Sequence, residues 1–377
     1  MTSVLASTYP THVVVDLAAF RKNLDVVRSS IAPGTGILAV VKADAYGHGM
    51  FKIASEAAGA GAEYLGVARA FEGVQLRTAG IATPILAFEI VPAEHQAAAI
   101  EHDLDLTVTS VDGAKQLNEA AARSGRKARV HVKVDTGMGR LGLNPTTAGG
   151  EIESIARLSR LELVGVYSHF ATSEEPDQKF ARHQLGLFHR VLDDLSRRGI
   201  HVRLRHMANS GAILQLPESH FEMVRPGIMM YGYTPRVGMK QEAALSPVMS
   251  MVSRVVYLKR VSPGTSISYG RRFVTNRETG IATIPVGYGD GYSRLLTGKA
   301  DVLIKGKRYP LAGTVCMDQV MADVGPESDI QEGDLVTLIG RDGEVAIWCW
   351  ELAEKIGTIP YEITCLVTSR VPRRFMQ

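Results

Sequence analysis

Short runs of isoleucine, leucine and valine recur along the chain as far as Val224. Between most of them lie alanine-rich stretches whose apolar residues return at helical spacing. The runs predict an opening strand at His12 to Val15, then eight more: Ile37 to Lys42, Tyr64 to Ala68, Ile85 to Phe88, Leu104 to Thr109, Ala128 to Val134, Leu163 to Ser168, Val202 to Met207 and Phe221 to Val224. The intervening patterns predict helices such as Phe20 to Ile31, Phe51 to Ala60, Val111 to Arg123 and Gln178 to Arg198. Strands alternating with helices read as β/α units with a parallel sheet, and eight of them in roughly 190 residues suit a closed (β/α)8 TIM-like barrel. An open doubly wound sheet is the rival arrangement, and counting repeats does not exclude it.

Beyond Gly232 the texture changes. Val248 to Val261, Gly280 to Pro285, Ala300 to Ile304, Arg308 to Gly313, Gln319 to Val324 and Leu335 to Gly340 are strand-like runs punctuated by Pro263-Gly264, Gly306 and Asp342-Gly343. Glu344 to Lys355 predicts a single helix. The expected division is therefore a barrel over 1–240, whose first residues can pair with the second domain, and a mainly-β domain over 241–377.

Composition narrows the class without naming a function. The chain has 377 residues, 45% hydrophobic and 21% charged, which suits an ordinary globular protein. A net charge of +3 without blocks of like charge argues against nucleic acid or an anionic membrane surface as partner. Cys316, Cys349 and Cys365 are odd in number and lack metal-ligand spacing, so a disulfide framework and a structural metal are not expected. With no apolar span and no secretion signal at the start, the expected location is the cytoplasm.

Chemistry collects where the predicted strands end. The stretch Ile37-Leu-Ala-Val-Val-Lys42-Ala-Asp-Ala-Tyr46-Gly-His-Gly49 reads as an apolar strand ending on a lysine. Partial burial disfavours its ammonium form and leaves an amine able to attack an aldehyde. Gly47 and Gly49 are expected to let the backbone pass close to a bound group. Lys133 lies in the fifth barrel strand with Asp135 to Arg140 behind it, and Ser168-His169-Phe170 closes the sixth. His206 to Gly211 follows the seventh, and Arg225-Pro-Gly227-Ile228 the eighth. Ser210, Gly227 and Ile228 suit a phosphate, since loops after strands seven and eight are a recurrent phosphate site in barrels. Tyr46 can add a phenolic donor. Asn209-Ser210-Gly211 also reads as a helix cap, which is compatible with that use. His48, His183 and His206 carry no role beyond packing or surface hydrogen bonding.

Val40 to Gly49 resembles the cofactor-lysine motif of the alanine racemase family, pyridoxal-phosphate enzymes of fold type III. The resemblance continues through Asp135 to Gly142, Ser168 to Ala171, Ala208 to Ser210, Val224 to Ile228, Ser268 to Gly270, Gly287 to Gly291, Cys316 to Gln319 and Tyr361-Glu362, nearly the whole chain in the family's order. It implies pyridoxal 5'-phosphate bound covalently to Lys42, with Lys42 and Tyr269 as bases on opposite faces of the substrate Cα. His169 links to Tyr269, Arg225 lies behind His169 and faces the pyridine nitrogen, and Tyr46, Ser210, Gly227, Ile228 and Tyr361 hold the phosphate. Arg140 and the N–H of Met317 hold the substrate carboxylate. Lys133 matches a lysine that some members carry as a carbamate. The implied activity is interconversion of L- and D-alanine, supplying D-alanine for peptidoglycan, in a homodimer whose sites are shared between subunits. The alternative is a racemase with serine or broader specificity. Departures are Thr314, where some members carry an arginine near the channel mouth, and Glu174 in place of an aspartate. A fold-related decarboxylase would present an acid to the pyridine nitrogen where this chain has Arg225. A barrel-only cofactor carrier would lack the segment holding Tyr269 and Met317.

Overall fold

Nine strands precede the change of texture in the computed structural model, which describes residues 9–239 and 244–377. They are β1 (His12–Asp16), β2 (Gly36–Val40), β3 (Tyr64–Val67), β4 (Ile85–Ala87), β5 (Asp105–Val108), β6 (Ala128–Lys133), β7 (Leu161–Tyr167), β8 (Leu204–His206) and β9 (Met223–Val224). All but β1 form one parallel sheet in the order β8-β7-β6-β5-β4-β3-β2-β9. The free edges of β8 and β9 meet just past their ends, where Asn209 and Arg225 form a parallel bridge and Arg225 N donates to Ala208 O at 2.8 Å. The eight strands thus form a nearly closed barrel with helices between them. Parallel strands need such crossovers, which cover the outer face and bury the strands on both sides. Every residue of β3, β4 and β5 is accordingly buried.

The inside of the barrel is not uniformly aliphatic. Side chains alternate along a strand, so Val130 and Val132 of β6 share one face while Arg129, His131 and Lys133 share the other. Gly165 of β7 makes room for that column: a Cβ there would lie 2.4 Å from His131 Nδ1.

The chain divides into two compact units. The barrel unit comprises Arg21–Ala45 and Met50–Ser246, while the other gathers the described residues up to Phe20, Tyr46–Gly49 and Pro247–Gln377. The division expected at residue 240 lies outside the described residues. The opening strand sits in the second unit because β1 pairs on both sides with strands from beyond the barrel.

Those strands are β10 (Met249–Arg254), β11 (Tyr257–Val261), β12 (Ser266–Ile267), β13 (Phe273–Val274), β14 (Thr279–Ile284), β15 (Asp301–Ile304), β16 (Lys307–Pro310), β17 (Val320–Gly325), β18 (Leu335–Asp342), β19 (Val345–Ile347) and β20 (Arg373–Met376). One sheet runs β16-β15-β18-β10-β1-β20 with β19 on β18, a second runs β11-β14-β17, and β12 and β13 form a hairpin. Two expectations need correction. The run Val248 to Val261 is two strands, because the chain changes sheets: Val255 N bonds Asp334 O, whereas Val256 N bonds Thr283 O. The helix expected over Glu344 to Lys355 begins only at Cys349, since Val345–Ile347 first turns back on β18 across Gly343, whose φ of +59° suits the tight turn. A second helix, Pro360–Leu366, follows. Among the described residues no helix is long and apolar enough to cross a membrane.

Candidate active site

Lys42 lies two residues past the end of β2, on a turn of opposite hand to an ordinary helix. Ala43, Asp44, Ala45 and Tyr46 have φ of +53°, +53°, +54° and +54°. Left-handed backbone costs a residue with a Cβ roughly 1–2 kcal/mol, so four in succession need external support. Ala45 N bonds Val41 O at 3.0 Å, Met50 N bonds Asp44 Oδ1 at 2.8 Å, and Ala43 N donates to Glu72 Oε1 at 2.8 Å. The expectation that Lys42 closes a strand is corrected accordingly: pairing stops at Val40, and the lysine is half-buried at the head of the turn.

The two glycines that follow are closely packed. A Cβ on Gly47 would lie 2.2 Å from Thr364 O, and one on Gly49 would lie 2.9 Å from the Phe375 ring. Both glycines admit neighbouring parts of their own unit.

The charged neighbours of Lys133 and His169 are mostly cations. Lys133 ends β6, buried, with Nζ 5.5 Å from the centre of the Tyr167 ring. Burial, then Arg140 and Arg225, push its amine down to about 8, with Lys42 adding and Asp135 opposing. Asp135 is occupied in shaping its own loop, where it accepts from the backbone N–H of Gly137, Gly139 and Arg140 at 2.9, 3.1 and 3.0 Å. That loop presents Arg140 at the surface. His169 is kept neutral by burial and by Arg225, Lys133, Arg140 and Lys42, which hold its pKa well below the ordinary value.

Arg225 is the centre of a network that the sequence pattern does not reveal. Its Nη2 donates to Ser168 O at 2.7 Å, Met207 O at 3.0 Å and His169 Nδ1 at 3.2 Å, and its Nη1 donates to His206 Nδ1 at 2.8 Å. A guanidinium only donates, so one direction is imposed on everything beyond it. His206 must carry its proton on Nε2, which bonds His131 Nδ1 at 2.9 Å. His131 in turn presents Nε2–H to Asp105 Oδ2 at 3.2 Å, and Asp105 Oδ1 accepts from Arg129 Nε. His131, His206 and Asp105 are fully buried. His206, expected to serve only packing or surface hydrogen bonding, therefore supports Arg225. Arg225 lies 5.4 Å over the Tyr167 ring, and burial lowers its pKa to about 10, still charged at neutral pH. Among the described residues its Nε has no acceptor.

At the bridge that closes the barrel, the Asn209 side chain caps the helix Ser210–Gln215 by accepting from Ala212 N at 3.0 Å. Ser210 Oγ accepts from Gly227 N at 3.0 Å and Met229 N at 3.4 Å. Ser210, Gly227 and Ile228 thus come together in a buried corner of the barrel mouth.

The second unit carries the remaining candidates. Tyr46 is buried, which pushes its phenol well above the ordinary range, and its ring centre lies 5.9 Å from that of Tyr361. Tyr269 projects with 71% of its surface exposed. It is set by Ser268, whose φ of +65° and ψ of −177° are ordinarily tolerated only by glycine. Ser268 Oγ donates to Thr314 O at 2.6 Å, and Thr314 Oγ1 donates to Tyr269 O at 2.8 Å. Thr314 is buried and bound to the backbone of Tyr269. Ser268, Tyr269, Cys316, Met317 and Gln319 line a cleft of about 520 Å³. Gly287 shapes the Met317 loop, for a Cβ there would lie 2.3 Å from both Cys316 O and Met317 O.

Known proteins match nearly the whole length of the chain. Residues 15–235 match the model of the alanine racemase N-terminal domain, and residues 248–375 that of the alanine racemase C-terminal domain. Alanine racemase of Halothermothrix orenii is 42% identical over 369 residues, covering 98% of this chain and 97% of that protein. The solved structure of alanine racemase from Clostridium difficile has a TM-score of 0.94 at 36% identity, covering 98% of this chain and 96% of that one. Its complex with cycloserine has a TM-score of 0.92 at 35% identity, with 98% and 96% coverage.

Proposed function

This chain belongs to the alanine racemase family, and we propose that it interconverts L- and D-alanine on pyridoxal 5'-phosphate carried by Lys42, with Lys42 and Tyr269 as the two bases. Arg225 is the observation that carries this reading. Both of its terminal nitrogens bond protein acceptors, its Nε–H has none among the described residues, and the group around it is cationic. Such a site fits a phosphorylated ring whose nitrogen accepts a hydrogen bond, and it fits a substrate carboxylate.

When bound, the cofactor supplies an aldehyde for the substrate amine and a conjugated ring that draws the electron pair left when Cα gives up its proton. Arg225 would donate a hydrogen bond to the ring nitrogen and, because a guanidinium keeps its proton, would not protonate it. Ser210, Gly227, Ile228, Tyr46 and Tyr361 hold the phosphate. Arg140 and the N–H of Met317 orient the substrate carboxylate. Lys42 takes or returns a proton on one face of Cα, and Tyr269 does so on the other. His169 accepts from Arg225 through Nδ1, so Nε2 bears a proton that can stabilise a phenolate on Tyr269.

Lys133 has an amine of about 8, partly unprotonated at neutral pH and able to add to carbon dioxide. The N–C bond forms, a proton leaves to water, and the resulting carbamate is an anion that can orient Arg140. Lys42 and Tyr269 belong to different compact units, and the family reading pairs them across a homodimer. Supply of D-alanine for peptidoglycan, in the cytoplasm, completes the proposal.

Three measurements test it. A chiral assay should show L-alanine and D-alanine each converted to the other only when pyridoxal phosphate is bound. Borohydride reduction followed by peptide mapping should place the cofactor on Lys42; a label on Lys133 would overturn the assignment. Intact mass of active enzyme should show the carbamate on Lys133, and an unmodified lysine in fully active protein would remove it.

A further inference from the structure

Glu72 is the third residue of the helix Ala70–Thr78. A glutamate there ordinarily caps its own helix by reaching back to the first backbone N–H groups. One oxygen of Glu72 does this: Oε2 accepts from Ala68 N at 2.8 Å and Arg69 N at 3.0 Å. Capping leaves the other oxygen with nothing to do inside the helix. Oε1 instead leaves its own β/α unit and accepts from Ala43 N, the first amide after Lys42, at 2.8 Å. The carboxylate is buried, and among the described residues it has no ion pair. Three amide donors share its charge, and charge-assisted bonds of this kind are stronger than neutral ones.

What the bond holds is the left-handed turn. Ala43 and Asp44 are exposed, so packing does not fix them, and a run of residues with Cβ atoms has no intrinsic preference for that hand. We infer that Glu72 is the positioning residue for Lys42: its carboxylate locks the turn after the lysine to the capped start of a neighbouring helix and so fixes where the amine is presented. The part concerning cofactor capture rests on the proposed function, whereas the locking of the turn does not.

The test uses Glu72→Ala and Glu72→Gln. In cofactor-free protein, hydrogen exchange of the Ala43 and Ala45 amides should rise at least about tenfold in Glu72→Ala, while β6 and β7 keep their protection. Glutamine keeps the size but has one oxygen for the two sides, so Glu72→Gln should show a smaller rise, and it decides the question if the alanine variant does not fold. Stopped-flow absorbance should show pyridoxal phosphate joining Lys42 at least about tenfold more slowly in Glu72→Ala, with Glu72→Gln between it and wild type. Racemisation should lose kcat with little change in KM. Wild-type exchange at Ala43 and Ala45 in both variants would overturn the inference. Faster exchange with an unchanged capture rate would overturn the link to Lys42. Failure of the wild type itself to take up pyridoxal phosphate would overturn the proposed function, and hydrogen exchange alone would then decide whether Glu72 locks the turn.

Discussion

Lys133 shows how one side chain joins burial, charge and chemistry. Its amine titrates near 8 where an unfolded chain would hold it near 10.5, burial being the main cause and the guanidinium groups of Arg140 and Arg225 the next. Below pH 8 both states are protonated and folding bears the full cost, roughly 3 kcal/mol at most. Between 8 and 10.5 the unfolded chain binds more protons, so stability rises with pH, and above 10.5 this contribution is gone. Urea titrations of cofactor-free protein in carbon-dioxide-free buffer should show that rise, and Lys133→Met should abolish it. Added bicarbonate should blunt the rise if the amine is carbamylated; an identical slope with and without bicarbonate would speak against the modification. The role of Glu72 was hidden from the sequence for a related reason. Nothing in Lys42-Ala-Asp-Ala-Tyr46 signals left-handed backbone, because only glycine and asparagine announce it, and the acceptor that holds the turn comes from another β/α unit.

The β6 strand marks the boundary between what was legible and what was not. Its position was readable from Val130 and Val132, which face the helices and supply the apolar rhythm. Arg129, His131 and Lys133 alternate with them, and that period of two was visible too. Its meaning depended on Asp105, His206 and Arg225 arriving from β5, β8 and the end of β9, which only the closed barrel brings together. The loops after the strands were easier, since each carries its own cluster of polar residues. The buried chain from Arg225 to Asp105 has a consequence for stability. Asp105→Ala leaves the buried His131 Nε2 and Tyr64 hydroxyl without their acceptor, while Arg129 keeps Asp103, and should cost about 2–3 kcal/mol, as buried polar groups left unpaired do. Asp105→Asn keeps an acceptor and should cost less. Burial alone would raise the Asp105 pKa, but bonds from His131 and Arg129 outweigh it and lower the value. Its stabilising contribution is therefore present above the ordinary carboxylate range and is lost as pH falls through the depressed value. Acid-induced unfolding should begin at higher pH in Asp105→Asn than in wild type, and coincident acid transitions would contradict the charged role.

At the scale of the molecule, the proposed reaction depends on two bases carried by different compact units. In the proposed homodimer each β unit serves the other subunit's barrel. Lys42→Ala and Tyr269→Ala should each be nearly inactive, and dissociating and reassociating an equal mixture should restore about a quarter of wild-type activity, since half the dimers are mixed and each has one intact site. Absence of any recovery would contradict shared sites. The central claim, that Lys42 and Tyr269 act on opposite faces of one Cα, has a more direct test. Tyr269→Phe keeps the lysine and the ring but removes the phenol. Incubated with each enantiomer of alanine in deuterium oxide, it should exchange the Cα proton of one enantiomer without inverting it and leave the other untouched. Racemisation at the wild-type rate, or equal exchange into both enantiomers, would contradict the two-base mechanism.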